Sequence, residues 1–325
     1  MKSKCILINK TGGPNVLEYT NVELNELGSN DVLIKHKAIG VNYIDIYHRT
    51  GVNPVDLPFI PGLEGTGEVL EVGVGVKEFI VGDRVAYCTA LSGGYSQYRT
   101  IDANLLIKVP SFISFDNIAA ILLKGLTAEY LVNRAYRVTH GDVVLVHAAA
   151  GGVGTILCQW LKILGATVIG TVGSDFKSEY AKKHGCDYTI NYKTEDVVNA
   201  VKDITSNTGV AVVYDSVGRD TLNSSIKCLS PFGYLIGYGN ASGIPDPIPP
   251  MTLALHGSLF YTRPRLADYC FKREDLLRSA DSLFKFYNNN LQVEIGNIFH
   301  LKNAKDAHDA ISKRTTLGST ILLTS

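Results

Sequence analysis

Short apolar runs broken by turn residues fill the first third of the chain. Examples are Asp31-Val32-Leu33-Ile34-Lys35-His36-Lys37, Gly67-Glu68-Val69-Leu70-Glu71-Val72 and Asp83-Arg84-Val85-Ala86-Tyr87. With Gly-Asp, Gly-Gly and Pro-Gly between them, these predict a small barrel-like β domain over residues 1 to about 110. The period changes near 115. Ser114 is placed to cap a helix over 116–122, and a second helix begins near Leu126. Beyond it, strands over 143–147, 167–172, 187–191, 210–215 and 234–238 alternate with helices over 153–164, 176–184, 195–205 and 220–229, and 257–262 supplies a last strand. That alternation predicts a doubly wound parallel sheet. Ile244-Pro245-Asp246-Pro247-Ile248-Pro249-Pro250 reads as a stiff surface connection. Helices over 273–287 and 304–313 and a strand over 319–323 form a tail expected to return to the first domain.

Composition narrows the class. The 325 residues suit roughly two domains. Thirty-one Lys+Arg balance 31 Asp+Glu, which argues against a nucleic-acid binder or an anionic-membrane binder, since both need a basic footprint. Cys5, Cys88, Cys158, Cys186, Cys228 and Cys270 form no CxxC pair and read as reduced intracellular thiols. The opening residues hold too short an apolar run for a signal-peptide core, and no run approaches the length of a membrane span. A cytoplasmic enzyme is expected.

The strongest motif is Val143-Val144-Leu145-Val146-His147-Ala148-Ala149-Ala150-Gly151-Gly152-Val153-Gly154. It follows a strand and opens a helix, the context of a dinucleotide fingerprint. Gly151 allows backbone to approach a pyrophosphate, Gly154 allows the helix to pack close on the strand, and the helix N-terminus attracts phosphate. Ala149 stands where the first fingerprint glycine is expected. The bare turn is also compatible with a tight βα connection that holds no ligand.

The tip of the second strand bears on cofactor choice. An acid about 20 residues beyond the glycine turn binds the ribose 2′-hydroxyl of NAD. Here the tip reads Val172-Gly173-Ser174, leaving room for a 2′-phosphate, and Lys177 lies one helical turn further on. Tyr192 follows the next strand and is placed to close that pocket, whereas Asp175 counts against it unless it caps the helix. NADPH is the cofactor expected.

Metal ligands are scarce. Eight histidines form neither an HExxH motif nor a Cys/His cluster, so no metal is expected. His147, closing the first nucleotide-domain strand, reads as a half-buried structural residue. No Ser/His/Asp arrangement demanding nucleophilic catalysis is visible.

The chain resembles the zinc-independent quinone oxidoreductases of the medium-chain dehydrogenase/reductase superfamily, the group that includes zeta-crystallin. The resemblance covers essentially the whole sequence. It is carried by Lys37-Ala38-Ile39-Gly40-Val41-Asn42-Tyr43-Ile44-Asp45, Pro61-Gly62-Leu63-Glu64-Gly65-Thr66-Gly67 and Gly82-Asp83-Arg84-Val85. It continues in Leu123-Lys124-Gly125-Leu126-Thr127-Ala128, the 147–154 turn, Val213-Tyr214-Asp215-Ser216-Val217-Gly218, Gly239-Asn240 and Thr262-Arg263-Pro264. Where the superfamily's alcohol dehydrogenases look like Gly-His-Glu, this chain reads Gly62-Leu63-Glu64, and leucine cannot ligate zinc.

The resemblance implies an α/β protein with a GroES-like β-barrel catalytic domain and a Rossmann doubly wound parallel-sheet domain. Its expected boundaries are 1–124 for the first part of the catalytic domain, 125–263 for the nucleotide domain and 264–325 for the return. It implies NADPH in the cleft between them and a homodimer joined through the outer strand near 258–262. Asn42, Tyr47 and Thr127 are expected at the nicotinamide half, with Asn42 and Tyr47 orienting cofactor and acceptor and Lys124 a weaker catalytic candidate. Gly151, Gly152, Val153 and Gly154 are expected at the pyrophosphate, and Gly173, Ser174, Lys177 and Tyr192 around the adenosine ribose and its phosphate. Ser216, Gly239, Asn240, Arg263 and Arg314 are further expected contacts. The implied activity is NADPH-dependent quinone reduction. Reduction of an alkenal or enone double bond is the alternative, and a non-catalytic NADPH-binding protein of crystallin-like or RNA-binding kind is a second.

Overall fold

The computed structural model describes residues 1–289 and 291–324. They divide into two compact units, one formed by Met1–Lys124, Cys270–Phe284 and Val293–Ser325, the other by Gly125–Tyr269 and Lys285–Gln292.

In the second unit six strands lie in the order Tyr188–Asn191, Thr167–Val172, Val143–Val146, Val210–Asp215, Leu229–Gly237, Phe260–Thr262. Every neighbouring pair is parallel. The central strands carry Val144, Leu145, Val168, Ile169, Val212 and Val213, all fully buried, as a parallel sheet covered on both faces requires. Helices Gly152–Ile163, Asp175–Lys183, Val197–Ile204 and Leu222–Cys228 connect them. This is the doubly wound sheet that the alternation predicts.

The first unit is mainly antiparallel. Its large sheet runs Ile295–His300, Ser319–Leu323, Asp31–Val41, Gly65–Val72, Arg84–Tyr87, Ile107–Lys108, and Tyr98–Asp102 also pairs with Asp31–Val41. The tail strand Ser319–Leu323 pairs antiparallel with Asp31–Val41, bringing Leu322 opposite Ile39. One core gathers Ile6, Ile8, Ile39, Val41, Tyr95 and Leu322; a second gathers Val32, Ile34, Val69, Val85 and Leu106.

Several local expectations are revised. The two helices read around Gly125 are one, Phe115–Tyr130, continued by a wider turn over Leu131–Ala135. A helix-interior glycine costs about 1 kcal/mol, but Ile121, Leu122, Leu126 and Ala128 are buried on either side of it, and that burial prevails. The proline-rich stretch leads into a short helix, Pro250–Leu255, for which Pro250 supplies the pre-set φ of a first turn. Lys285–Gln292 groups with the second unit rather than with the rest of the tail. The rings of Trp160 and Phe286 lie 4.4 Å apart, and Gln159 exchanges two hydrogen bonds with the Gln292 backbone, at 2.9 and 3.1 Å.

Candidate active site

The glycine turn follows Val143–Val146 and opens helix Gly152–Ile163 with Gly151 as its N-cap. A Cβ on Gly154 would lie 2.3 Å from the Ala148 carbonyl oxygen and 2.9 Å from the Ala149 backbone, so strand end and helix start meet at a distance only glycine permits. Gly152, Val153 and Gly154 open the helix, where the first N–H groups of any α-helix lack an intrahelical acceptor and make a ready anion site. Ala148 holds a φ of +55°, the left-handed conformation a turn glycine would otherwise take. Ala149, at the expected glycine position, is accommodated from the next strand, because a Cβ on Gly170 would fall 2.7 Å from the Ala149 methyl.

The second strand ends at Val172, and Ser174 caps helix Asp175–Lys183 by accepting from the Lys177 N–H at 3.3 Å. The helix cap is therefore Ser174 and not Asp175, whose carboxylate accepts from Asn191 Nδ2 at 3.0 Å. A Cβ on Gly173 would stand 2.5 Å from the Tyr192 hydroxyl, so the tyrosine lies directly across the strand tip. Gly173, Ser174, Lys177 and Tyr192 are thus brought together. In the same sheet, on the other side of strand Val143–Val146, a small recess is lined by Asp215, Gly218, Gly239, Asn240, Tyr261 and Arg263. Gly239 allows its loop to pass Ser216, since a Cβ there would meet the Ser216 oxygen at 2.4 Å.

His147 is fully buried rather than half-buried. Ser225 Oγ donates to Asp215 Oδ2 at 2.8 Å and lies 3.0 Å from His147 Nε2. A hydroxyl that gives its proton to the carboxylate accepts from Nε2–H, so Nδ1 accepts from Thr171 Oγ1 at 3.0 Å. Burial holds this imidazole below its ordinary pKa and therefore neutral. Ser, His and Asp meet here in the wrong order for a nucleophile, because the carboxylate orients the serine and not the histidine. The chain of bonds fixes the ends of three parallel strands beneath the nucleotide turn. Sequence reasoning missed it because its members lie far apart in the chain.

In the first unit, Asn42 precedes helix Tyr43–Thr50 and donates its backbone N–H to Asp45 Oδ2 at 2.9 Å. Its side-chain Nδ2 donates to Glu64 Oε2 at 2.8 Å. Glu64 also accepts from the Leu123 N–H at 2.7 Å and lies 3.8 Å from Lys124 Nζ. Asp45 Oδ2 accepts from the Tyr95 hydroxyl at 3.1 Å, and that hydroxyl sits 3.0 Å from His308 Nε2. Tyr47 is half-buried beside Tyr43, with ring centroids 5.3 Å apart. Thr127 is buried in helix Phe115–Tyr130, within the second unit, while Arg314 is exposed after helix Ala304–Ser312 of the first.

Burial pushes the Asp45 carboxyl up to about 7, and the nearby Glu64 charge adds to the effect, against hydrogen bonds from Asn42 and Tyr95. Between an unfolded value of 3.8 and a folded value of about 7 the native state holds a proton that the unfolded chain has released, so stability falls as pH rises through that window. The shift corresponds to about 4 kcal/mol. Asp45→Asn is therefore expected to make the slope of Tm against pH less negative across this window. Parallel curves for variant and parent in thermal melts would refute the assignment.

Residues 28–111 match the alcohol dehydrogenase GroES-like domain and residues 152–270 the zinc-binding dehydrogenase family. Together with the two units these place the chain in the medium-chain dehydrogenase/reductase superfamily. A quinone oxidoreductase of Pseudomonas aeruginosa is 44% identical over 314 residues, 96% of this chain and 97% of the relative. A 2-haloacrylate reductase of a Burkholderia species is 43% identical over 325 residues, 98% of each. The crystal structure of Escherichia coli quinone oxidoreductase complexed with NADPH superposes with a TM-score of 0.96 at 41% identity, covering 99% of both chains. The chain belongs to the quinone oxidoreductase family. Although one matched family carries zinc in its description, no group of three or more His, Cys, Asp or Glu among the described residues is placed to hold a metal ion.

Proposed function

We propose that the chain is an NADPH-dependent quinone reductase. The observation that carries this reading is the pairing of a helix-opening glycine turn with a strand tip, Val172-Gly173-Ser174, that bears no acid, is crossed by Tyr192 and is followed one helical turn on by Lys177. The residues fit the cofactor: glycine at 154 lets the helix start close on the strand end, and glycine at 173 leaves the strand tip clear before the Tyr192 hydroxyl. Gly151, Gly152, Val153 and Gly154 hold the pyrophosphate through backbone N–H groups. Gly173, Ser174, Lys177 and Tyr192 hold the adenosine ribose and its 2′-phosphate, the lysine supplying the cation that an NAD-binding acid would repel. Ser216, Gly239, Asn240, Arg263 and Arg314 complete the contacts, and Asn42, Tyr47 and Thr127 face the nicotinamide half.

When bound, NADPH supplies the hydride. The protein's part is to orient the acceptor, exclude water and stabilise the oxyanion that grows as the acceptor is reduced. Tyr47 and Asn42 carry hydrogen-bonding groups for this task. In this reading 1–124 and the segment after 263 form the catalytic part and 125–263 the nucleotide-binding part. The 2-haloacrylate reductase relative at 43% identity favours a second reading, reduction of an activated carbon–carbon double bond. Fluorescence titration with NADPH and NADH, followed by a panel of quinones and enones, tests both. A protein that bound neither nucleotide would end the proposal, and turnover confined to enones would select the second reading.

Among the described residues no strand pairs with the outer edge of Phe260–Thr262, and Phe260 is half exposed. We propose a homodimer joined along this edge, in a cytoplasmic setting that suits six buried thiols. Sedimentation at the mass of a single chain would reject the dimer.

A further inference from the structure

Lys124 is a lysine in an unusual place. It is 5% exposed, and its Nζ has no hydrogen-bond acceptor among the described residues. Its counter-charge is Glu64, fully buried and 3.8 Å away, an ion pair longer than a hydrogen bond. Both carboxylate oxygens are otherwise engaged, Oε1 by the Leu123 N–H and Oε2 by the Asn42 amide. The surroundings are built for this carboxylate. A Cβ on Gly40 would lie 2.0 Å from Glu64 Oε2 and 2.5 Å from the Ala119 oxygen, which explains a glycine inside strand Asp31–Val41.

Such a pair is a poor device for stability. Desolvating two charges generally costs as much as their attraction returns, and an apolar pair of similar volume is often equal or better. The geometry offers another role. An ionised carboxylate only accepts, so it admits the Asn42 carboxamide in one orientation, Nδ2 inward and Oδ1 away from Glu64. A protonated or amidated residue 64 removes that restriction.

We propose that Glu64 and Lys124 are positioning residues for the reduction: the ammonium keeps the carboxylate an acceptor, and the carboxylate locks the Asn42 carboxamide in the orientation the reaction uses. This rests on the reading that Asn42 faces the nicotinamide half. Burial raises the Glu64 carboxyl above its ordinary range and the Lys124 charge opposes that rise. The other titratable groups around it are Asp45, Tyr87, Cys88 and Tyr95. None is a cation, so Lys124 is the charge that favours the ionised form, beside the hydrogen bonds from Asn42 and Leu123.

The test uses Glu64→Gln, Lys124→Met and the double variant. The Leu123 N–H cannot turn, so in Glu64→Gln the new carboxamide gives it the amide oxygen and presents NH₂ to Asn42, whose own carboxamide must invert. Each single variant is expected to keep its NADPH dissociation constant within roughly threefold while kcat falls about 10- to 100-fold, the scale of a misplaced reacting group. Lys124→Met removes the charge that favours the ionised Glu64, so its kcat is expected to rise as pH is raised, whereas Glu64→Gln shows no such rise. The uncharged double variant is expected to melt at or above the parent temperature and still turn over slowly. That split separates positioning from packing, and it stays readable if a single variant folds poorly. Parent-like kcat in Lys124→Met or in the double variant would overturn the proposal, as would activity that tracks Tm with no change of pH profile. Loss of NADPH binding in the unsubstituted protein would instead overturn the reading on which it stands.

Discussion

Gly154→Ala is expected to abolish measurable NADPH binding and to destabilise the fold by about 3 kcal/mol or more. The added methyl would lie 2.3 Å from the Ala148 oxygen and 2.9 Å from the Ala149 backbone. These are main-chain atoms, and neither can rotate out of the way. Ala149 is tied to the next strand through its N–H, 3.1 Å from the Thr171 oxygen. Ala148 already occupies the left-handed region. Relief must therefore come from displacing the start of helix Gly152–Ile163, which carries the free N–H groups proposed to hold the pyrophosphate. Stability and affinity should fall together, read by thermal melting and nucleotide titration on one preparation. An alanine variant with parent-like Tm and affinity would mean that the close approach is not required.

Lys177→Ala is expected to weaken NADPH by about 1.5–3 kcal/mol, the usual worth of a hydrogen bond to a charged group, or roughly 10- to 150-fold. NADH should change little, because only the 2′-phosphate distinguishes the two. The substitution leaves the helix cap alone: Ser174 accepts from the backbone N–H of residue 177, not from its side chain. Asp175 does not cancel the effect, since its carboxylate is held by Asn191. Ser174→Asp is the complementary change. Aspartate caps as well as serine, yet it returns an anion to the strand tip and should move preference toward NADH. Equal loss of both nucleotides on removing Lys177 would take it out of the phosphate site.

The parallel sheet was legible because its strands are continuous apolar runs set between amphipathic helices, a pattern that local sequence carries by itself. The pyrophosphate turn was legible for a similar reason, as strand, glycines and helix are contiguous. What escaped depends on distant partners. Asp45 stands at the start of an amphipathic helix, and only the fold brings the Tyr95 hydroxyl against it, with His308 on the far side of that hydroxyl. Glu64 was visible only as the neighbour of a missing zinc ligand, yet it meets Asn42 and Leu123. Gly125 reads as a break between helices because propensity is local, while the burial that overrides it is not. Ala149 looked like a defect in the fingerprint until Gly170 was seen opposite it.

All six cysteines are buried thiols. Cys5, Cys88 and Cys270 belong to the first unit and Cys158, Cys186 and Cys228 to the second. Burial pushes the Cys5 thiol up to about 11 and the Cys228 thiol up to about 12, so neither offers much reactive thiolate in the folded chain. The molecule thus carries its own set of silent reporters, evenly shared. An alkylating reagent modifies a cysteine only when its surroundings open, and the order in which the two groups of three are labelled tells which unit gives way first.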